Sequence, residues 1–331
     1  MTRVRAEPGI PGEFGVGLDL LSALYAMNNL VIYAAAVLIW GSTWLVITFQ
    51  LGRVPPEVSV AYRFALADVL LLIWCRLRGL RMCFSAREHF LMALQGMLLF
   101  GLNYVCIYLA EGRISSGLVA VVFSLITFFN IAGTRILFGT PVKWMTLFNA
   151  VLGVVGVTLI FLPELREPGF GGSVPMGVFF AVLGTMSASF GNLLAARNQR
   201  NGLPVVQLNT FGMLYGALLV TAYALAIGRP FGFDGSLVYL ASLGYLALFG
   251  SILAFGAYLT LVGRNGADRA GYTGATIPIV AVLLSVVFEG LRLQALAVLG
   301  IALCLAGSVL VLRGRRSPAP AAPILGAGLP R

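Results

Sequence analysis

Ten long apolar stretches run through the chain, and together they contain only two charged residues, Arg63 and Asp68, both in the second stretch. The stretches are Leu30–Phe49, Val58–Cys75, Phe90–Ala110, Ser116–Thr134, Trp144–Leu162, Val174–Ala196, Val205–Ile227, Val238–Val262, Ala270–Phe288 and Leu293–Leu312. An α-helix needs about 20 apolar residues to cross the hydrocarbon core of a bilayer, where its backbone groups must bond internally. The pattern predicts an all-α integral membrane protein with ten transmembrane helices.

Composition and charge placement agree with a lipid bilayer as the surrounding solvent. Hydrophobic residues make up 59% of the chain and charged residues 10%, whereas soluble domains carry about 25% charged residues. The net charge of +10 would suggest nucleic acid in a soluble protein, but the lysines and arginines alternate by loop: sixteen fall on one side of the predicted spans and five on the other. Cytoplasmic loops carry the excess, so we expect both termini in the cytoplasm and no nucleic-acid partner.

The raw material for enzyme chemistry is nearly absent from the sequence. The chain has one histidine, His89, four scattered cysteines and one carboxylate deep in a span. We therefore expect no metal, no cofactor and no enzymatic activity. A membrane-embedded transferase, which needs clustered catalytic groups, and a channel, which needs a ring of charges or carbonyls, remain as alternatives. No Gly-x-x-x-x-Gly-Lys segment is present, so the chain is not expected to use ATP itself.

An internal repeat appears when the chain is shifted by 151 residues. The pair Gly112-Arg113 then aligns with Gly263-Arg264, and Gly139 with Gly290. Five helices per repeat is an odd number, so the second copy should cross the membrane upside down, as in many secondary transporters. We predict a cytoplasmic N-terminal extension (1–29), a first repeat (30–162), an extracytoplasmic linker (163–173), a second repeat (174–312) and a disordered cytoplasmic tail (313–331). A repeat inside one chain allows a monomer to work, and a homodimer stays open.

Short motifs in a fixed order resemble the EamA-type members of the drug/metabolite transporter superfamily. They are Trp40-Gly41-Ser42-Thr43, Pro55-Pro56, Arg63-Phe64, Tyr108-Leu109-Ala110-Glu111, Ser116-Gly117-Leu118-Val119-Ala120, Thr276-Ile277-Pro278, Gly300 and Gly307. The sequence departs from the family pattern at Thr127, where a proline is frequent, and at Phe138-Gly139, where a Gly-Glu pair is common.

The resemblance implies the ten-helix fold with a central cavity between the repeats, in a bacterial inner membrane. It implies a secondary transporter working by alternating access, most simply an exporter of amino acids or related small amphipathic metabolites. Import, or transport of a drug or vitamin by the same fold, is the alternative within the family.

Seven residues are candidates for lining the substrate cavity. Trp40 and Trp44 lie four residues apart on one face of the first span, where they either form an aromatic wall for a ring or a cation or pack against lipid and helices. The resemblance favours the third and sixth spans as cavity helices. The remaining candidates are Asn103, Tyr104, Asn192, Tyr258 and Thr276.

Three residues are candidates for gating or coupling. A charge in the hydrocarbon costs at least about 2.5–3.5 kcal/mol. Arg63 therefore either binds a substrate carboxylate, gates the cavity, or lies near the outer end of the span, where it snorkels or bonds loop carbonyls. Asp68 lies about 140° further around the helix and is the candidate for proton coupling, or else bonds to a neighbouring helix. Pro278 loosens the ninth span and is a candidate hinge. We expect Glu111 and Glu289, at span ends, to be solvated.

Overall fold

A computed structural model describes residues 13–52, 54–139, 144–166, 173–265 and 272–314, and within these ranges every regular element is helical. The first part of the chain contains α1 (Glu13–Thr48), α2 (Pro56–Leu77), α3 (Ala86–Gly96), the π-helical segment π1 (Met97–Leu102), α4 (Asn103–Glu111), α5 (Ser116–Phe123), α6 (Ile126–Phe138) and α7 (Trp144–Arg166). The second part contains α8 (Ser173–Arg200), α9 (Val205–Ala226), α10 (Leu237–Tyr245), a second π-helical segment π2 (Leu246–Leu253), α11 (Ala254–Asn265), α12 (Tyr272–Phe288) and α13 (Ala295–Gly314).

Seven helical stretches are long and apolar enough to cross a membrane by length and composition. They are Asn28–Thr48, Pro56–Leu77, Ala86–Glu111, Ser116–Gly133, Ser173–Arg200, Val205–Ala226 and Leu237–Tyr258. Three shorter apolar helices, Val151–Ile160, Thr273–Phe288 and Ala295–Leu310, lie in the remaining predicted spans. Each predicted span therefore coincides with a helical stretch, and the chain is an all-α membrane protein.

Two predicted elements differ from the structure. Helix α1 begins at Glu13, within the predicted N-terminal extension, and runs on without a break into the first span. The fourth span is two helices, because the backbone turns at Ser124-Leu125, where the Ser124 hydroxyl donates to the Val121 carbonyl at 2.6 Å and Leu125 N–H donates to Val122. Most of the predicted linker and tail, residues 167–172 and 315–331, lies outside the described residues.

The internal repeat is visible in local geometry. Gly139 and Gly290, 151 residues apart, both adopt a left-handed backbone with φ of +68° and +69°. Ser85 and Ser236, with the same separation, each cap the helix that follows by accepting a backbone N–H, from Glu88 and from Tyr239. The segments π1 and π2 also occupy matching places in the two aligned halves. The sequence alignment of the two halves is thus reproduced by the backbone.

The helices pack so that each half contacts the other in equivalent ways. Helix α4 packs on α8 as α11 packs on α1, and α2 packs on α9, α5 on α12, and α7 on α13. One large apolar core joins the two halves, whereas large apolar side chains such as Leu77 and Leu237 face outward. The end of the bundle where α4 stops, called the Glu111 end below, also holds the start of α2, the start of α5 and the end of α12.

Candidate functional site

The π2 segment is the place where predicted site residues from the first half meet the second half. A π-helical turn leaves backbone carbonyls without their usual helical donors, and such turns are frequent at functional sites. The Trp40 indole Nε1–H donates to the Gly250 carbonyl at 3.1 Å, and its ring lies 5.5 Å from the ring of Tyr258 and 5.1 Å from that of Phe255. Two of the predicted cavity residues, Trp40 and Tyr258, are therefore in contact.

The matching segment π1 receives an equivalent bond from the other half. The Ser187 hydroxyl on α8 donates to the Leu98 carbonyl at 2.7 Å. Asn103, a predicted cavity residue, instead donates from its side-chain amide to the Leu99 carbonyl of its own helix at 3.1 Å. Both π segments thus accept a hydrogen bond from a side chain of the other half, an indole N–H at π2 and a serine hydroxyl at π1.

Arg63 lies against π2 and is almost completely buried, with an exposed fraction of 1%. Its Nε–H donates to the Ser251 hydroxyl at 3.3 Å, and its guanidinium carbon lies 4.5 Å from the centre of the Tyr104 ring and 5.2 Å from that of Phe64. Cation–π contacts of this kind stabilise a desolvated cation. Its Nη1 has no hydrogen-bond partner among the described residues. The snorkelling alternative is wrong, because the side chain points into protein.

Tyr108 connects Arg63 to the Glu111 end. Its hydroxyl donates to Gln50 Oε1 at 2.7 Å and interacts electrostatically with both Arg63 and Glu111. Gln50 is itself 1% exposed, and its Nε2 has no partner among the described residues. These polar side chains, Arg63, Gln50, Tyr108 and Glu111, form what is called the Arg63 cluster below.

The expectation that Glu111 and Glu289 are solvated is wrong for Glu111. Glu111 is 7% exposed, and neither carboxyl oxygen has a hydrogen-bond partner among the residues that the structure describes. Glu289 is exposed, and its carboxylate accepts hydrogen bonds from the Ser116 hydroxyl at 2.6 Å and from the Ser116 N–H at 3.3 Å. Sequence position near a span end cannot show which side chains later pack over it.

The remaining predicted cavity residues are dispersed around this centre. Trp44 is buried and contacts Phe123 of α5 at a ring distance of 5.3 Å, so the two predicted tryptophans face different neighbours. Thr276 on α12 shares a 2.6 Å hydrogen bond with the Tyr33 hydroxyl. Asn192 is half-buried on α8. The structure therefore brings Trp40, Tyr258, Arg63 and Tyr104 together around π2, and leaves Trp44, Asn192 and Thr276 outside that group.

Asp68 and Pro278 do not join the Arg63 cluster. Asp68 is 4% exposed, its Oδ1 has no partner among the described side chains, and it forms no ion pair with Arg63. This agrees with the sequence expectation that the two residues occupy different faces of α2. Pro278 is buried within α12, which continues through it from Tyr272 to Phe288.

A cavity of about 260 Å³ opens at the Glu111 end, above Gln50. It is lined by Phe49, Gln50, Leu51, Asp234, Ser236, Val238 and Tyr239. Gln50 belongs to both the cavity wall and the Arg63 cluster, so its hydrogen bond with Tyr108 stands between the two. Gln50, Tyr108 and Ser251 were not predicted from the sequence. Neutral polar side chains inside apolar stretches are a signal that can find Tyr108 and Ser251, whereas Gln50 lies just beyond the first stretch.

Comparisons with known proteins identify the family. The profile of the EamA-like transporter family matches the chain twice, over residues 28–162 and 175–313. The chain belongs to the EamA-like transporter family. It is 30% identical over 301 residues to the uncharacterized inner membrane transporter YedA of Escherichia coli strain K12. The alignment covers 90% of this chain and 92% of YedA.

More distant relatives agree with this assignment. Protein PagO of Salmonella typhimurium is 20% identical, with 87% of this chain and 94% of PagO aligned. A solved crystal structure with 17% identity aligns over 86% of this chain and 96% of its own with a TM-score of 0.62, which supports the fold alone. The two profile matches agree with the repeat seen in the glycines, caps and π segments.

Proposed function

We propose that this protein is a secondary transporter that exports amino acids or related small amphipathic metabolites across the bacterial inner membrane. It would consist of ten transmembrane helices arranged as two inverted five-helix repeats, with both termini in the cytoplasm. The Glu111 end would then face outward. Support for this orientation comes from the loop charges, since the loops at the Glu111 end carry few of the arginines and lysines.

The observation that carries the proposal is the way in which the halves share π2. Trp40 and Arg63, from the first half, bond to the adjacent residues Gly250 and Ser251 of the second half. A site assembled from both repeats changes shape when the repeats rock against each other, which is the basis of alternating access. The aromatic rings of Trp40, Tyr104 and Tyr258 lie near π2, which the buried cation of Arg63 also contacts, and this combination suits an amphipathic solute with a carboxylate.

Radiolabelled amino-acid efflux tests the proposal, in cells that lack their main amino-acid exporters. We expect faster efflux with the wild type, and loss of the gain in Trp40→Ala, because this indole donates to the Gly250 carbonyl of π2 and so joins the two halves. Trp144→Ala is the matched control: the same atoms are removed from a side chain that is 78% exposed, so efflux should persist. Membrane abundance is measured for every variant.

Asp68→Asn separates two driving mechanisms in the same assay. Efflux that persists in Asp68→Asn indicates facilitated diffusion or coupling elsewhere, whereas its loss at normal abundance indicates that Asp68 takes part in proton coupling. No gain in efflux of any amino acid with the wild type would contradict the amino-acid assignment.

A further inference from the structure

A buried cation and a buried carboxyl group in the Arg63 cluster each have polar atoms without a hydrogen-bond partner among the described residues. Arg63 Nη1 and the two carboxyl oxygens of Glu111 have none among the described residues, and the two side chains do not form an ion pair with each other. They nevertheless act on each other electrostatically, and the other charged group that acts on Glu111 is Glu289. Buried charges are normally paired, and a buried polar group without a partner calls for an explanation.

Glu289 does not supply the missing interaction. Its carboxylate is occupied by the hydroxyl and the N–H of Ser116, and it repels negative charge on Glu111. The positive side of the cluster has a second donor, because Gln50 Nε2 is also buried without a described partner. Donors and acceptors that lack partners are thus concentrated in one cluster around Tyr108.

We propose that Arg63 and Glu111 together bind the zwitterionic head of an α-amino acid. The substrate carboxylate would accept from Arg63 Nη1, the guanidinium nitrogen that has no partner among the described residues, and from Gln50 Nε2 as an additional donor. The substrate ammonium would take the Glu111 carboxylate. This deepens the proposed function, on which it rests, by naming both the chemical group that is recognised and the residues that recognise it.

The cavity at the Glu111 end gives the site an exit. Gln50 lines that cavity of about 260 Å³ and accepts the Tyr108 hydroxyl bond that closes off the Arg63 cluster. A substrate carboxylate that accepts from Gln50 Nε2 would reorient the same side-chain amide whose Oε1 accepts the Tyr108 hydroxyl. Binding at Arg63 and opening of the Gln50–Tyr108 barrier would therefore be linked.

Ligand-induced thermal stabilisation of the purified protein tests the inference without a transport assay. The probes are the twenty proteinogenic L-amino acids and the N-acetyl and carboxamide derivatives of L-phenylalanine and L-leucine. For the wild type we expect free amino acids to raise the melting temperature and both blocked derivatives to fail, because a ligand that binds only the native state stabilises it. N-acetylation removes the ammonium, and the carboxamide removes the carboxylate.

The variants should relax this selectivity in opposite directions. In Glu111→Gln, free amino acids should bind roughly tenfold to a hundredfold more weakly, as for a lost charged hydrogen bond, while the N-acetyl derivatives gain. In Arg63→Gln the carboxamides should gain instead. Glu57→Gln is the matched control, since Glu57 is a buried carboxylate of α2 that pairs with Arg229 at 3.4 Å, away from the cluster, and its selectivity should equal that of the wild type.

Several results would overturn the inference. They are stabilisation by none of the amino acids, equal stabilisation of the wild type by free and N-acetylated compounds, or parallel losses for every compound in both variants. If Arg63→Gln does not fold, Arg63→Lys keeps the charge but loses the planar fork, so it should weaken free amino acids while still rejecting the carboxamides. Amino-acid efflux by the wild type together with unselective binding would leave the proposed function standing and remove only this inference.

Discussion

At the scale of single residues, Gly250 decides how closely π2 approaches the first half. A Cβ at this position would lie 2.8 Å from Thr43 Cγ2 and 3.3 Å from Arg63 Nη2. Overpacking of this kind costs about 1–3 kcal/mol, and here it would also displace the guanidinium. We expect Gly250→Ala to lower the melting temperature of the purified protein by a few degrees and to reduce substrate efflux.

Two further variants show whether this contact is the cause. Thr43→Ser removes the methyl group that the new Cβ would strike, so the double variant Thr43→Ser/Gly250→Ala should recover part of the stability. Gly244→Ala, in α10, places a Cβ where nothing lies within 4 Å and should be neutral. If Gly244→Ala is as harmful as Gly250→Ala, the close approach of π2 is not what constrains position 250.

At the scale of helices, glycines set the closest crossings between elements. A Cβ at Gly96 would strike the backbone of Gly212 in α9, including its carbonyl carbon at 2.9 Å, and no side chain there can move aside. Gly96→Ala should therefore push α3 and α9 apart and destabilise the protein more than Gly101→Ala. A Cβ at Gly101 would have the Val220 methyl, at 3.3 Å, as its nearest neighbour, and that side chain can move. Thermal melting of both variants in detergent makes the comparison, and equal losses would contradict it.

The same scale shows what the sequence can and cannot predict. Continuous apolar runs were sufficient to find the seven helical stretches that can cross a membrane and the three shorter apolar helices. The alignment of Gly139 with Gly290 was confirmed by their nearly equal φ angles. Three features were not predicted from the sequence: the π segments, the turn at Ser124-Leu125 and the burial of Glu111. Apolar residues tolerate α- and π-turns alike, so hydrophobicity carries no signal for π1 or π2. Whether Glu111 is solvated depends on how α2 and α4 pack, which the local sequence does not specify.

At the scale of the whole molecule, one of the contacts that join the two halves at the Glu111 end is made by a carboxylate at the end of α12. Glu289, at the end of α12, accepts both the hydroxyl and the N–H of Ser116, at the start of α5. This bond joins helices from opposite repeats, so it must break if that end opens during transport. The residue that aligns with Glu289 in the first half is Phe138, which has no carboxylate. The first half therefore has no carboxylate at position 138 to form the counterpart of the Glu289–Ser116 bond.

Cross-linking this contact tests whether opening there is required. In a Cys83→Ser background, Ser116→Cys/Glu289→Cys treated during turnover with a short membrane-permeant thiol cross-linker should lose efflux, and a reductant that cleaves the linker should restore it. Ser85→Cys/Glu88→Cys is the control, because those side chains are also in hydrogen-bond contact but belong to one half. Its cross-link leaves the halves free to move, so efflux should continue. Full efflux with the Ser116–Glu289 link in place would show that the two halves do not separate at this end, and alternating access through it would be wrong.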